Sequence, residues 1–271
     1  MYCDLHIHSH FSDGSLSPTQ IVTLAKQQNL IVALTDHNTV AGLPEFIEQA
    51  QKQGVIAVPG IELSADYHGA ELHVLGLFVK PEHYEDLELL TKTLRAAKEE
   101  SNRELARRLQ LAGYEIDYRQ IKASSPEGTI NRAHFAAALC QKGYVSSMSE
   151  AFERLLAPER GFYCPPKRLD FIDAINFLSH RSVLPIWAHP LKDRSEVQVK
   201  AILPEAKQAG LAGLEVWHSS YNKEKERIAG ALAYEYGLLS SGGSDFHGAN
   251  KPGIELNGCR IPVSVYYDLR K

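Results

Sequence analysis

The first half of the chain alternates short apolar runs with amphipathic stretches. Residues 2–8 alternate apolar and polar positions and predict a strand. Ser17-Pro18-Thr19-Gln20 predicts a helix start, with Ser as N-cap, Pro in the first turn and Gln three residues on; Ile21, Leu24 and Ala25 supply its apolar stripe. The β-branched run Ile31–Leu34 predicts a buried strand. Pro44 opens a second helix to about Lys52, and Gly54 stops it; Val55–Leu63 and Leu72–Val79 are the next strands. The period then changes. From Tyr84 to about Gly113, Leu87, Leu90, Leu94, Leu105 and Leu109 fall at helical steps and predict one long helix. Helical stretches follow near Asn131–Gln141 and Ser149–Leu156, and Pro165-Pro166 closes the segment. Strands resume at Val183–Ala188, Leu211–Val216 and Leu238–Ser240, with helical patterns between them. Seven strands joined mostly by helices predict an α/β parallel sheet or barrel, interrupted after the fourth strand by a helical insertion. The expected division is a barrel of residues 1–83 and 169–271, and an insertion or lid of residues 84–168.

Composition narrows the classes. A chain of 271 residues, 44% hydrophobic and 23% charged, is ordinary for a globular protein and excludes fibrous or largely disordered structure. The net charge of −4 provides no global field for long duplex nucleic acid. Apolar runs such as Leu30–Leu34 are far shorter than the roughly 20 residues that span a bilayer. The N-terminus lacks the basic and apolar regions of a signal peptide, so the expectation is a cytoplasmic protein with no membrane association. No obligate protein partner is indicated. Four widely spaced cysteines form no CxxC pair and read as free thiols. Charge is uneven: residues 95–168 hold 13 Lys/Arg and 9 Asp/Glu, net +4, which leaves −8 for the rest. That split suits a cation-binding barrel and an insertion that takes an anionic substrate.

Twelve histidines are many for this length, and their positions carry the chemistry. In Asp4-Leu5-His6-Ile7-His8 the three polar residues share one strand face. Two imidazoles so placed reach one cation, and Asp4 could hold a ring N–H from behind. Asp13 follows the first strand, Asp36-His37 the second, Glu62 ends the third, His73 lies in the fourth, His189 ends the fifth, and Asp245 and His247 follow the seventh. In a βα barrel the strand ends make the active site. A histidine and carboxylate set without thiols suits manganese, zinc or iron. Around this set, Asp36 and His10 read as outer supports. His68 and His83 read as solvated turn residues, and His180 as a helix terminus. Glu215 and His218 end the sixth strand, in Glu215-Val216-Trp217-His218-Ser219-Ser220-Tyr221, and line the same mouth. Ser219 and Tyr221 are candidates for substrate contact, and His218 for protonating a leaving group. In the insertion, Arg132 offers a planar fork for phosphate beside a helix start. His134 and Lys167, with Arg168, are further candidates for substrate phosphate.

His6-x-His8, Thr35-Asp36-His37, Pro59-Gly60-Ile61-Glu62, Glu71-Leu72-His73-Val74-Leu75-Gly76, Ala188-His189-Pro190 and Gly243-Ser244-Asp245-Phe246-His247-Gly248 resemble the successive motifs of the polymerase and histidinol phosphatase (PHP) superfamily. The resemblance spans most of the chain and implies a distorted (βα)7 barrel with three divalent ions, taken as manganese, with zinc or iron as alternatives. It implies His6, His8, Glu62 and Asp245 around one ion. Glu62 would bridge to a second ion on His73 and His189, and Asp13, His37 and His247 would hold the third. The insertion, with Asn131-Arg132-Ala133-His134, resembles the branch of 3′,5′-nucleoside bisphosphate phosphatases, which is linked also to 5′→3′ trimming of short RNA. This chain departs from that branch at Ala133, where proline is usual, and at Asn38, where Asp commonly follows the histidine.

The expected activity is therefore hydrolysis of the 3′-phosphate of a nucleoside 3′,5′-bisphosphate to leave the 5′-monophosphate. The attacking group would be hydroxide held between cations, with Glu62, Asp245, Arg132 and His218 taking part. The alternatives are 5′→3′ exonuclease action on short 5′-phosphorylated RNA, histidinol phosphatase, and a non-catalytic metal-binding scaffold. The expected substrate is thus a small phosphorylated nucleotide or a short oligonucleotide.

Overall fold

The structure is a computed structural model, described here for residues 1–123 and 130–271. Nine strands are described: β1 (Tyr2–Asp4), β2 (Leu30–Leu34), β3 (Ala57–Tyr67), β4 (Ala70–Leu77), β5 (Leu169–Asp170), β6 (Leu184–Trp187), β7 (Gly213–His218), β8 (Leu239–Gly243) and β9 (Ile261–Pro262). Their order in the sheet is β8-β7-β6-β4-β3-β2-β1-β9, with β5 on β3. Backbone bonds then link the two sides: Leu5 N–H to the Gly242 carbonyl at 3.2 Å, and His8 N–H to that of Phe246 at 2.9 Å. The sheet is thereby a nearly closed barrel. No helix among the described residues is long and apolar enough to cross a membrane.

Helices follow from local chemistry. Helix α1 (Pro18–Gln28) starts on a complete capping box: Gln20 N–H bonds the Ser17 hydroxyl at 3.1 Å, and the Gln20 side chain accepts from Ser17 N–H at 2.8 Å. Helix α2 (Leu43–Gln53) ends at Gly54 with φ +70°, where a left-handed residue closes the last turn. Helices α7 (Phe171–Ser179), α8 (Glu196–Gln208) and α9 (Lys223–Glu235) alternate with β6, β7 and β8. Helix α10 (Val263–Leu269) follows β9.

Two features differ from the sequence reading. The third and fourth strands form an antiparallel hairpin rather than a βα unit, and β4 also runs against β6. The cause is the two-residue turn at His68 (φ +51°) and Gly69 (φ +86°), a pair of left-handed residues that matches strand twist. The strand expected over residues 2–8 ends at Asp4, and beyond it only Ile7 makes a bridge, to Phe246.

The chain divides into two compact units, Met1–Leu89 with Leu169–Lys271, and Leu90–Arg168. The second holds most of α3 (Tyr84–Leu111), with α4 (Tyr118–Ala123), α5 (Arg132–Gln141) and α6 (Met148–Ala151). Its own core gathers Leu105, Leu109, Ile116, Phe135, Leu139, Leu155 and Leu156. In the barrel unit, Cys3, Leu5, Ile31, Val58, Leu75, Leu77, Ile186 and Ile261 make one apolar cluster from neighbouring strands.

Gly243 makes the barrel's tightest approach near the polar residues. A Cβ there would lie 2.1 Å from His6 Cβ and 2.5 Å from its backbone nitrogen. Gly243→Ala is therefore expected to destabilise the fold by about 1–3 kcal/mol or more, as overpacking does. Urea denaturation followed by circular dichroism checks this, and an unchanged midpoint would contradict it.

Candidate metal centre

Glu62 is the middle of the site. It is fully buried in β3. Residues of one parity share a strand face, and β4 pairs His73 with Ser64, so the register sets His73 beside Glu62. The extension of β2 brings His37, which bridges to Glu62. One oxygen, Oε1, lies 2.8 Å from His73 Nδ1 and 3.2 Å from His189 Nε2. The other, Oε2, lies 3.1 Å from His6 Nε2, 3.2 Å from His8 Nε2 and 3.0 Å from His37 Nδ1. Five imidazoles thus face one carboxylate.

The remaining acids flank this centre. Asp245 Oδ1 is 3.3 Å from His8 Nε2 and 3.7 Å from His6 Nε2. Asp13 Oδ1 is 3.0 Å from His247 Nε2 and 3.8 Å from His8 Nδ1. Three groups have ligand atoms that all lie within 4.8 Å of one another: His8, Asp13, His37 and His247; His6, His8 and Asp245; and His37, Glu62 and His73. His8 and His37 each belong to two groups. His189 belongs to none of these three groups and meets the cluster through Glu62 Oε1 and through its ring contacts with His6 and His73.

The chemistry of the donor set fits divalent cations. His6 Nε2, both ring nitrogens of His8, His37 Nδ1, His247 Nε2 and Glu62 Oε2 are buried, yet none meets hydrogen-bond geometry. Buried polar atoms without partners are costly, and a shared cation satisfies all of them at once. Charge follows the same logic. Burial would raise the carboxyl of Glu62, but His37, His6 and His73 outweigh it and hold it well below the usual range. Burial lowers the His8 imidazole, but Asp245 and Glu62 overcome it and bring it to about 9. His73 likewise reaches about 9 against burial, through Glu62 and Glu71. In His37 and His189 burial wins, and they fall to about 3 and about 4.

Outer partners fix the rings. His6 Nδ1 donates to Glu215 Oε1 at 2.9 Å, which leaves Nε2 basic toward the cluster. Glu215 Oε2 accepts from His189 N–H at 2.6 Å. His247 Nδ1 donates to the Asp245 carbonyl at 2.7 Å, so its Nε2 also faces inward as a lone pair. His189 (φ +34°) and Asp245 (φ +58°) both hold left-handed backbone, which re-aims the side chains where their strands end.

Several expected roles change. Asp4 supports no imidazole; its carboxylate accepts backbone N–H from Ser244 and Asn257, both at 2.8 Å. The residue behind His6 is Glu215, a buried carboxylate inside the apolar strand β7, and that placement was its sequence signal. Asp36 accepts from Ser9 N–H, the Ser9 hydroxyl and the Ser12 hydroxyl, so it ties down the loop after β1 rather than a ring. His10 lies against Phe11, with ring centroids 4.7 Å apart and planes tilted by 37°, and belongs to none of the three groups. The buried Tyr221 hydroxyl accepts from Leu191 N–H at 2.7 Å and is a brace for the turn after His189. Ser219 is exposed. His218 is buried at the edge of the cluster, 5.1 Å from the His189 ring. Its Nδ1 accepts from Ser220 N–H at 3.1 Å, so its proton sits on Nε2, 3.6 Å from Asp245 Oδ2.

In the helical unit, Arg132 donates to the Leu156 carbonyl at 3.2 Å and lies 4.5 Å over the Tyr163 ring. His134 Nδ1 accepts from Asn131 N–H at 3.2 Å, which makes it the return half of a capping box on α5. Lys167 is exposed. The barrel carries two cations that sequence reasoning missed: Lys251 Nζ is 2.9 Å, and Lys192 Nζ 4.0 Å, from Asp245 Oδ2. Their only signal was a position a few residues after a histidine motif.

The chain is similar to known proteins over most of its length. The PHP domain model matches residues 4–163. The chain is 33% identical over 246 residues to a 5′-3′ exoribonuclease from Haemophilus influenzae, across 90% of this chain and 89% of that protein. It is 30% identical over 257 residues to a 3′,5′-nucleoside bisphosphate phosphatase from Chromobacterium violaceum, across 93% and 90% of the two chains. A solved metal-dependent phosphoesterase from Bifidobacterium adolescentis superposes with a TM-score of 0.85 at 27% identity, across 98% of this chain and 94% of that one. With its histidine and carboxylate cluster at the strand ends, this chain belongs to the PHP domain family, as a metal-dependent phosphoesterase.

Proposed function

We propose that the enzyme removes the 3′-phosphate of nucleoside 3′,5′-bisphosphates and leaves the 5′-monophosphate. The carrying observation is Glu62, whose two oxygens are shared among five imidazoles: Oε1 bonds His73 and His189, and Oε2 faces nitrogens of His6, His8 and His37 that have no hydrogen-bond partner. We assign His6, His8, Glu62 and Asp245 to one divalent ion, Glu62, His73 and His189 to a second, and Asp13, His37 and His247 to a third, with manganese as the metal. Such ions would acidify a water near neutral pH and offset charge on the phosphoryl oxygens. The chain's own residues do the rest. Glu215 holds His6 and His189 in place together. His218, with its proton on Nε2, is oriented to donate to the leaving oxygen. Arg132 in the insertion is proposed to take a substrate phosphate, with His134 and Lys167 beside it in that role. The bisphosphate phosphatase from C. violaceum supports this choice of substrate. The exoribonuclease from H. influenzae supports a second reading, 5′→3′ action on RNA, for which we take short 5′-phosphorylated oligonucleotides as the substrate.

Phosphate release from adenosine 3′,5′-bisphosphate with manganese is the direct test, and gel analysis of short oligoribonucleotides is its counterpart. Release by the parent is expected, with a loss of roughly 10²–10³-fold in Glu62→Gln, the scale of removing one electrostatic stabiliser. No release would reject the bisphosphate. Glu215→Gln should cost about 10–100-fold at limiting manganese, as loss of an outer partner does. Full activity there would deny Glu215 its orienting role.

Proton release on metal uptake checks the ligand set. With His8 and His73 at about 9, both rings are protonated at pH 7 before metal arrives. A cation must displace those protons. Calorimetric manganese titration in two buffers of different ionisation enthalpy should show protons released at pH 7, fading as pH rises through 9. Uptake with no proton release at pH 7 would exclude these rings as ligands.

A further inference from the structure

The carboxylate of Asp245 is divided between two environments. Oδ1 faces the rings of His6, His8 and His247. Oδ2 faces three cationic or donor groups: Lys251 Nζ at 2.9 Å, His218 Nε2 at 3.6 Å and Lys192 Nζ at 4.0 Å. Lys52 and Lys223, by contrast, pair with acids one helical turn away, Glu48 and Glu226. Lys192 and Lys251 converge on an acid at the centre of the site.

Both are carried by fixed backbone. Lys192 closes the turn after β6, its N–H on the His189 carbonyl at 3.0 Å and its own carbonyl on Lys225 Nζ at 3.4 Å. The turn holding Lys251 is tied to the loop after β1 by Asn250 Nδ2 on the Asp13 carbonyl at 2.9 Å and Ala249 N–H on the Ser15 hydroxyl at 2.8 Å. At Gly248 (φ +63°) a Cβ would lie 2.1 Å from Ser15 Oγ, so the turn packs closely on that loop. Each ammonium therefore hangs from a loop that also carries a ligand, His189 or His247.

We propose that Lys192 and Lys251, with His218, form the subsite for the outer oxygens of a terminal phosphate, and that they make the enzyme prefer a phosphomonoester dianion to a phosphodiester. This rests on the phosphoesterase reading and sharpens its substrate. In either hydrolysis a water oxygen bonds phosphorus, the P–O bond to the leaving group breaks, and the leaving oxygen takes up a proton. The difference is charge. Near neutral pH a monoester carries close to two negative charges, its second pKa being about 6. A diester carries one. Two ammonium groups beside the ligand set match the dianion and are partly wasted on the diester.

The test uses the manganese enzyme with p-nitrophenyl phosphate and bis(p-nitrophenyl) phosphate, which share a leaving group. In Lys251→Met and Lys192→Met, the ratio of kcat/KM for monoester over diester should fall about tenfold or more, the scale of losing a charged hydrogen bond. Lys251→Arg should keep much of the ratio. Binding of inorganic phosphate, read by calorimetry, should weaken by about the same factor, with manganese content per chain unchanged. A ratio within twofold of the parent, with both substrates slowed together, would overturn the proposal; so would a fall in bound manganese, which would make the lysines supports of Asp245 only. If the parent cleaves neither aryl ester, phosphate binding decides: unchanged binding in both lysine variants would overturn the proposal, and release from adenosine 3′,5′-bisphosphate tests the phosphoesterase reading separately.

Discussion

The site depends on a carboxylate that is fully buried and still ionised. Glu62 has no exposed surface, and burial alone would push it to its neutral form. The imidazoles at both oxygens hold it ionised instead. A buried charge of this kind persists only when its surroundings are over-determined. The hairpin of β3 and β4 sets His73, the run after β1 brings His6 and His8, the end of β2 brings His37, and the end of β6 brings His189. No two of these five rings share all their supports. The barrel therefore acts less as a container than as the means of bringing four chain segments to one acid.

The next layer explains why the cluster keeps its aim. Glu215 serves two segments at once, through His6 Nδ1 and the His189 backbone. Asp4 and Asp36 are buried as well, but they spend their oxygens on backbone and serine groups that hold loops. These acids hold the turns beside His8 and Asp245, through Ser9 and Ser244. The left-handed backbone at His189 and Asp245 costs about 1–3 kcal/mol each and persists because Glu215 and the His6 carbonyl bind their N–H groups. Strain at ligand-bearing turns is thus held by the same residues that orient the rings.

Much of this was legible in the sequence. Strand periodicity located β2, β3, β4, β6, β7 and β8, and histidines and acids at their ends announced metal chemistry. What escaped has physical reasons. A two-residue strand such as β5 or β9 has no period to read. The reversal of β4 hangs on two backbone angles, and His68 carries no obvious mark of its left-handed conformation. Acids were recognised by type but not by task, because a one-dimensional reading cannot say which neighbour a carboxylate will meet. Asp4 thus changes from ring support to loop support, and Glu215 takes the place expected for it. Tyr221 stands near a motif in sequence, yet its hydroxyl is turned to the Leu191 N–H.

The lysines beside Asp245 show how charge is arranged around the cluster. The barrel sequence is acidic overall, and that suggested cations bound in the barrel and an anion held by the insertion. The structure puts Lys192 and Lys251 within the barrel itself, at the outer oxygen of an acid whose inner oxygen faces the rings. A substrate that reaches this centre thus meets positive charge on the barrel's own loops. Net charge per segment records the sum of those groups and loses their direction. Here direction is what matters: one carboxylate, with opposite oxygens, separates the groups suited to hold cations from those suited to hold an anion.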